Sequence, residues 1–553
     1  MGQCCYAKRD RTKLILSEKF KLKEDYIKIL EEKNSKILAE KQKSLKSHNG
    51  QLFREIGTKK QSQINIDVTK IISKNFSKLG GEYEINEQIG EGGYGVVYKV
   101  KHIKTHLVRA MKRIYRSRSV QESSDEVSGS GNNNNNNNEV EDMNNEIELL
   151  KSLDHPNIVK IFEYFISDDS YYLITEYCPG GSLLNLKNKI QTFTEESAAY
   201  IMYQVFRGVN YCHENKVIHR DLKPENIVIV GENNLDKSLY DIKIIDFGTA
   251  KIFKNNVVEK QIAGSPNYIA PEVLSKKYNE KCDLWSCGVI LYFLVVGSLP
   301  FKGKTNEETL KKISEAKYSF PPKFKQESSP EVKNLIDACL EKDPAKRISA
   351  KEALNHPWFD LYDTKSYFIH VTEAFLNKTI INIKRYRPKN KLQEIALAYI
   401  VHNLPMLEEK NKIDRVFNLF NTSKSGKLSK EETIRALRKY LFADNKELAD
   451  KEAEEIFERL DDNKNGFIEC EEFARGGLDK KIFKNKNILQ FTFSFLDKNK
   501  DGEISIEELK DVFEITNSEE EEALMELLES IDTDLNGKIS FDEYKNMMLE
   551  IIE

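Results

Sequence analysis

The octapeptide HRDLKPEN occupies residues 219–226 of this chain, and the tripeptide DFG follows it, beginning at Asp246. Asp221 can accept the proton of an attacking hydroxyl, and Lys223 can stabilise a phosphoryl group in transfer. Asn226 and Asp246 offer the hard oxygen ligands that Mg²⁺ requires. The two motifs together predict a phosphoryl-transfer site that binds magnesium.

A glycine-rich segment precedes this site and reads GEGGYGVV at residues 90–97, on a pattern typical of a strand hairpin. A GxGxxG pattern alone is a weak signal, because it also occurs in dinucleotide-binding folds. Here Lys112 follows on the next predicted strand, where it can bind the α- and β-phosphates of ATP, and Glu146 begins a predicted helix from which it can hold Lys112. The residues predicted to bind nucleotide or hold Lys112 are Gly90, Glu91, Gly92, Gly93, Tyr94, Gly95, Val97, Ala110, Lys112 and Glu146.

Acidic loops of equal length recur after residue 410, at 461–472, 497–508 and 532–543. Each has oxygen ligands at positions 1, 3 and 5, glycine at position 6, a backbone carbonyl at position 7 and Glu at position 12, as in helix–loop–helix calcium sites. Isoleucine at position 8 predicts that the loops pair through short strands. The predicted calcium ligands are Asp461, Asn463, Asn465, Phe467 and Glu472 in one loop, Asp497, Asn499, Asp501, Glu503 and Glu508 in the next, and Asp532, Asp534, Asn536, Lys538 and Glu543 in the last.

A fourth loop, residues 421–432, precedes these three and has Asn421, Ser423 and Ser425 at positions 1, 3 and 5. Glu432, at position 12, is the only carboxylate at a ligand position of this loop. A neutral cage compensates poorly for the dehydration of Ca²⁺, so weak or absent calcium binding is expected here.

Residues 83–359 carry the motifs GxGxxGxV, AMK, HRD, DFG and APE in that order, and they resemble a eukaryotic protein kinase domain. With the connector and the four loops that follow, the chain resembles the calcium-dependent protein kinases with a fused calmodulin-like domain. The resemblance implies an α+β bilobal protein kinase fold followed by an all-α calmodulin-like domain of four EF-hands. It also implies a calcium-activated serine/threonine kinase that uses ATP, Mg²⁺ and Ca²⁺ and acts on proteins.

By the same resemblance, Thr175 lies at the gatekeeper position, and Glu176 to Cys178 form the hinge that meets adenine. Cys178 is either a plain hinge residue or a reactive thiol. Lys223 marks the serine/threonine rather than the tyrosine class. The residues implied to support the helical lobe are Asp283, Trp285 and Arg347.

The segment between DFG and APE departs from the family pattern at Gln261, where many kinases carry a phosphorylated Thr. Arg220 therefore lacks an obvious phosphate partner, and Glu259 is a candidate replacement. The resemblance also implies that Ser265 hydrogen-bonds Asp221 and Lys223. Activity without phosphorylation of this segment is expected.

Four regions are predicted along the chain. They are a basic N-terminal extension at 1–80, the kinase domain at 81–359 with a low-complexity, disordered insert at 117–138, an autoinhibitory junction at 360–410, and the calmodulin-like domain at 411–553. In the junction, basic residues precede Leu392, Ile395, Ala396 and Tyr399, which have helical spacing. Such a basic amphipathic helix suits a calmodulin-like groove, and in the family this segment occludes the substrate site until calcium acts. The alternative is a linker helix that packs on the kinase lobe.

We expect a cytoplasmic monomer that does not bind nucleic acid. The net charge is −4, and the 8 Cys show no disulfide or metal spacing, which favours a reducing compartment. No apolar run approaches the ~20 residues that span a bilayer, and no signal-peptide pattern is found. However, Gly2, Cys4 and Cys5 resemble a myristoylated and palmitoylated membrane anchor, although Tyr6 stands where that motif has Ser or Thr. An unmodified tail is the alternative.

Two other function classes fit the sequence less well. A catalytically inactive, calcium-responsive scaffold would not need Lys112, Asp221, Asn226 and Asp246, all of which are present. A calcium buffer with a passenger kinase would not explain the basic junction.

Overall fold

The computed structural model describes residues 74–75, 79–92, 95–103, 105–115, 146–167, 169–190, 192–231, 239–253, 259, 261–364, 371–388, 390–403, 408–441, 446–513, 515 and 518–551. The predictions for the acylated terminus, for the Asn-rich insert and for Gly93 and Tyr94 lie outside these residues. None of the described helices is both long enough and apolar enough to cross a membrane.

The first lobe is built on a six-stranded sheet, with strand order β1-β5-β6-β4-β3-β2. Strands β1 and β5 are parallel and the other neighbours are antiparallel. The strands are β1 (Lys74–Asn75), β2 (Tyr83–Gly92), β3 (Gly95–His102), β4 (Val108–Tyr115), β5 (Ile161–Ile166) and β6 (Ser170–Glu176). The described residues of this lobe also include two short helices, α1 at Leu79–Glu82 and α2 at 146–152. Strand β1 thus extends the sheet into the segment that the sequence assigned to the N-terminal extension.

Gly95 allows the glycine-rich hairpin to close. Its φ is 141°, and a Cβ there would lie 2.0 Å from the carbonyl oxygen of Arg113 on the neighbouring strand. A larger residue here would have a strained backbone and would also clash with the backbone of Arg113. The hairpin keeps β3 against β4, and so fixes the strand that carries Lys112.

The second lobe is mainly helical and surrounds one continuous apolar core. Helix α6 is apolar on nearly every face and is buried accordingly. The helices are α3 (Leu183–Ile190), α4 (Glu195–Glu214), α5 (Pro271–Leu274), α6 (Lys281–Val296), α7 (Asn306–Glu315), α8 (Pro322–Glu327), α9 (Pro330–Cys339) and α10 (Ala350–Ala353). Short strands β7 (Val217–Ile218), β8 (Ile227–Ile229), β9 (Ile242–Ile244) and β10 (Lys251–Ile252) position the catalytic segments.

The junction contains two helices, α11 (Glu373–Arg385) and α12 (Lys391–Asn403). The prediction of one basic helix across this segment is wrong, because Pro388 disfavours helical backbone at the preceding residue and ends α11. Lys384 and Arg385 therefore lie at the end of α11, Arg387 lies between the two helices, and Lys391 begins α12. Helix α12 is buried on almost all sides rather than amphipathic.

Four helix–loop–helix units follow and share a second apolar core with the junction. Leu428 pairs with Ile468 and Ile504 pairs with Ile539, so the loops are joined through position 8 as predicted. The helices are α13 (Glu408–Phe420), α14 (Lys430–Leu441), α15 (Lys446–Leu460), α16 (Cys470–Gly477), α17 (Lys486–Leu496), α18 (Ile506–Phe513), α19 (Ser518–Ile531) and α20 (Phe541–Leu549). The two-residue strands are β11 (Leu428–Ser429), β12 (Phe467–Ile468), β13 (Glu503–Ile504) and β14 (Ile539–Ser540).

Candidate active site and calcium loops

Lys112 joins the two lobes through two carboxylates. Its Nζ lies 2.7 Å from Glu146 Oε1 and 2.8 Å from Asp246 Oδ1. Burial alone would lower the pKa of Lys112, but Glu146 and Asp246 outweigh it and raise the pKa above its usual value. Lys112 is therefore a fixed cation, as phosphate binding requires.

Asp221 lies at the centre of a second cluster. Its carboxylate accepts hydrogen bonds from Ser265 Oγ at 2.7 Å and from Lys223 Nζ at 2.6 Å. Lys223 also donates to Ser265 Oγ at 2.9 Å, and Asn226 Nδ2 donates to the backbone oxygen of Asp221 at 2.9 Å. The contacts of Ser265 with Asp221 and Lys223 are those that the resemblance to protein kinases implies.

The backbone of the catalytic loop is held by a buried scaffold residue. Asp283 is 1% exposed, and its carboxylate accepts hydrogen bonds from the backbone N–H groups of His219 and Arg220. Arg220 and Asp246 both have positive φ, at 68° and 64°. Since non-glycine residues adopt this conformation rarely, the surrounding contacts must hold it in place.

Glu272 of the APE motif is bound by a buried arginine. Arg347 forms a two-pronged ion pair with its carboxylate, and its guanidinium lies 5.2 Å from the ring of Trp285. These contacts, like those of Asp283, connect the helices beneath the site. The sequence assigned Trp285, Asp283 and Arg347 such a supporting role.

In the described part of the segment between DFG and APE, the partners of Arg220 are uncharged oxygen atoms. Arg220 donates to the backbone oxygen of Thr249 and to Gln261 Oε1, the latter at 3.3 Å. Glu259, the expected partner of Arg220, pairs instead with Lys251 Nζ at 2.9 Å. The difference arises because strand β10 brings Lys251 to that carboxylate.

Activity is therefore expected to survive phosphatase treatment. Thr249 and Ser265 are the only Ser or Thr residues between Asp246 and Ala270. Thr249 Oγ1 donates to His219 O at 3.0 Å and Ser265 binds Asp221, so both hydroxyls already serve the loop. The measurement is calcium-stimulated activity before and after phosphatase, with phosphosites mapped by mass spectrometry. Loss of that activity together with a phosphosite in this segment would contradict the prediction.

The predicted hinge begins at the end of β6, an inner strand of the sheet. Thr175 lies opposite Ala110 across the β4–β6 pair. Glu176 accepts a hydrogen bond from the backbone N–H of Lys160 at 2.8 Å and pairs with Lys243 at 2.8 Å. Burial raises the pKa of Cys178 to about 12, which favours the plain hinge residue over the reactive thiol.

The predicted calcium loops have the backbone shape that ion binding needs. Their position-1 carboxylates, from Asp461, Asp497 and Asp532, each accept hydrogen bonds from the N–H groups at positions 5 and 6. In the last loop, single carboxylate oxygens of Asp532, Asp534 and Glu543 all lie within 4.8 Å of one another. Such a set of hard oxygen atoms fits Ca²⁺.

The junction and the EF-hand region both contact the kinase lobes; the sequence left the junction contact open as an alternative, and it did not predict the contacts of the EF-hands. His402 Nε2 lies 2.9 Å from Ile161 O, and Arg109 donates to Asn403 O at 2.5 Å. Glu471 forms an ion pair with Lys160, the residue whose N–H binds the hinge carboxylate. Lys500 pairs with Glu82 at 2.6 Å. A single sequence carries no signal for such pairs, because their members lie hundreds of positions apart.

Comparison with known proteins identifies both parts of the chain. The protein kinase domain family matches residues 83–359, and the EF-hand domain pair family matches residues 410–476 and 486–549. Calcium-dependent protein kinase 4 of Plasmodium falciparum is 33% identical over 92% of this chain and 96% of its own length. The chain belongs to the calcium-dependent protein kinases.

Further members of the family are similar over most of their lengths. Calcium-dependent protein kinase 5 of Plasmodium falciparum is 34% identical over 88% of this chain and 81% of its own. Calcium-dependent protein kinase 14 of Arabidopsis thaliana is 32% identical over 84% and 83%. This calcium-dependent protein kinase is a calcium-activated serine/threonine kinase that uses ATP, Mg²⁺ and Ca²⁺.

The residues present fit the roles that the reaction requires. Asn226 and Asp246 would hold Mg²⁺, and bound ATP supplies the phosphoryl group. Asp221 is positioned by Ser265 and Lys223 to accept the proton of a substrate hydroxyl. Lys112, which is clamped by two carboxylates, would hold the phosphates in place.

Proposed function

We propose that the junction, residues 360–410, inhibits this calcium-dependent protein kinase when calcium is absent, and that the EF-hand domain retains it when calcium is bound. The observation that carries the proposal is the shared core of the two segments. Leu392, Ile395 and Ile400 of the junction are buried in the same apolar cluster as Phe473 and Met547 of the EF-hand helices. A helix held in this way cannot also fill the substrate cleft.

Polar and aromatic contacts support the same pairing. Gln393 Nε2 donates to Met547 O at 2.7 Å, and the ring of Tyr399 stacks on Phe495 at 4.0 Å. Lys384, one of the basic residues at the end of α11, pairs with Glu452 at 2.8 Å. Calcium can shift the position of the junction only if it favours the EF-hand arrangement that makes these contacts.

Removing the junction and the EF-hands tests this proposal. A chain that ends at Thr364 keeps Trp358 and Tyr362, whose side chains both donate to Glu195 and close the helical lobe. It is expected to phosphorylate a peptide without calcium, up to ~100-fold faster than the calcium-free full chain if that chain is 99% inhibited.

The control for this truncation is the same short chain with Asp221→Asn, which shows the background rate. Folding is checked by thermal unfolding and by nucleotide binding. A folded, nucleotide-binding short chain that remains as inactive as the calcium-free full chain would show that the junction is not the inhibitor.

We also propose that the kinase attaches to membranes through acyl groups on Gly2, Cys4 and Cys5. Each buried acyl CH₂ contributes ~0.8 kcal/mol, so one chain binds marginally and two hold firmly. The change Gly2→Ala is expected to move the natively expressed protein from the membrane pellet to the soluble fraction. The measurement is fractionation with intact-mass analysis, and a wild-type protein without acyl groups would rule this attachment out.

A further inference from the structure

The first EF-hand loop, residues 421–432, has the backbone of a calcium loop without its charge. Lys424 and Gly426 have the positive φ, 59° and 82°, seen at the same positions of the other three loops. The carboxylate at position 12, Glu432, accepts hydrogen bonds from the N–H groups of Ser423 and Ser429, at 2.6 and 3.2 Å. The loop therefore keeps its shape through its own hydrogen bonds.

This loop is in contact with the helical lobe of the kinase. Asn210 Nδ2 on helix α4 donates to Lys424 O at 2.9 Å. The side chain of Lys424 continues across the lobe, where its Nζ donates to Leu354 O at 3.1 Å and to Asn355 Oδ1 at 2.8 Å. Both the backbone and the side chain of one loop residue are thus bound by the lobe.

Gly426 lies so close to the helical lobe that a side chain would not fit there. A Cβ at this position would lie 2.4 Å from Tyr211 Cδ2, and Tyr211 cannot retreat because it is fully buried and stacks on His155. The glycine at position 6 of the other loops has no atom within 4 Å of such a Cβ. Only at the first loop, among the described residues, does this glycine serve a contact with another domain as well as the turn.

The contact extends beyond the loop itself. Arg207, one turn before Tyr211 on helix α4, donates a hydrogen bond to Asn418 Oδ1 at the end of helix α13. Since α13 leads directly into the loop, helix and loop meet the lobe together. Polar contacts at both ends of this surface, with Gly426 between them, fix the position of the loop on the helical lobe.

We propose that the first EF-hand loop is a docking element that binds the helical lobe without holding an ion. Its partner is the surface formed by Asn210, Tyr211, Leu354 and Asn355 of the same chain. The calcium sites are then the other three loops. This inference is independent of the inhibitory role proposed for the junction.

Two glycine variants at the same loop position test the proposal in the full-length protein. Gly426→Ala and Gly466→Ala add the same strain, since φ is 82° and 84°, but only Gly426→Ala meets the kinase lobe. Hydrogen exchange of peptides covering 351–357 is measured at saturating calcium. Bound calcium is counted by native mass spectrometry and calorimetry.

Each variant is expected to change one of the two measurements and to leave the other unchanged. Gly426→Ala should speed exchange at 351–357 roughly tenfold, as the loss of one or two hydrogen bonds implies, and leave three bound ions. Gly466→Ala should leave that exchange unchanged while weakening one ion site. The proposal fails if Gly426→Ala leaves exchange unchanged, if both variants speed it equally, or if the wild-type chain binds a fourth ion that Gly426→Ala removes.

A second pair of variants covers the case in which Gly426→Ala does not fold. Lys424→Met removes the ammonium that binds Leu354 and Asn355, and Lys464→Met makes the same change at position 4 of the next loop, where the ammonium binds Glu458 O. Only Lys424→Met should speed exchange at 351–357. Equal exchange in the two variants would overturn the assignment.

Discussion

Asp221→Asn is expected to slow phosphoryl transfer by at least ~10²-fold while leaving the protein folded. The asparagine side chain can still accept the hydrogen bond that Ser265 donates to Asp221 at 2.7 Å, but it cannot take up the proton of a substrate hydroxyl. The measurement is the rate of peptide phosphorylation at saturating calcium and ATP, beside the thermal unfolding of both proteins. Substantial serine or threonine phosphorylation by the folded variant would show that another group acts as the base.

Lys112→Met tests the other cluster of the same site and is expected to lower the rate by a similar factor. The change leaves Glu146, which is nearly buried, and Asp246 without the cation between them. Lys346→Met is the matched control, because the side chain of Lys346 is 75% exposed. Equal rates for the two variants would show that Lys112 does not contribute to phosphoryl transfer.

Glu508→Gln combined with Glu543→Gln is expected to raise the calcium concentration for half-maximal activation by roughly ten- to hundredfold, because each change removes a charged bidentate ligand. Both carboxylates are buried at position 12 of their loops, where backbone N–H groups orient them. The measurement is kinase activity across a calcium titration.

A neighbouring pair of acidic residues provides the control for this change. Glu507 and Asp542 precede the two ligands in sequence and are exposed. Glu507→Gln with Asp542→Asn removes the same charge and should leave the calcium requirement nearly unchanged. An equal shift in both double variants would mean that overall charge, rather than ligation, sets the calcium requirement.

Much of the active site could be predicted from the sequence because its parts lie in short motifs. HRDLKPEN holds Asp221, Lys223 and Asn226 within six positions, so local backbone geometry brings them together. The calcium loops are predictable for the same reason, since twelve consecutive residues supply the ligands. The pairing of Ile504 with Ile539 followed from loop position alone.

The predictions that failed concern partners that are distant in sequence or lie at a helix boundary. Glu259 was expected to meet Arg220, and it meets Lys251 instead. The basic residues and the apolar positions of the junction were expected to form a basic amphipathic helix, and the break at Pro388 places them on two helices. Helix α12 has apolar residues at helical spacing, but periodicity cannot tell that its remaining faces are also covered, because those contacts come from other domains.

By itself, the sequence determined the chemistry of this protein: a phosphoryl-transfer site, three calcium loops with charged ligands and one loop whose side chains at positions 1, 3 and 5 are uncharged. Those properties depend on which side chains lie within a few residues of each other. Only the tertiary structure decided what the loop 421–432 touches, how Glu471 reaches the hinge through Lys160, and that Asp246 joins Glu146 in binding Lys112. The physical reason is that chain closure over hundreds of residues depends on the packing of whole domains, which no local pattern records.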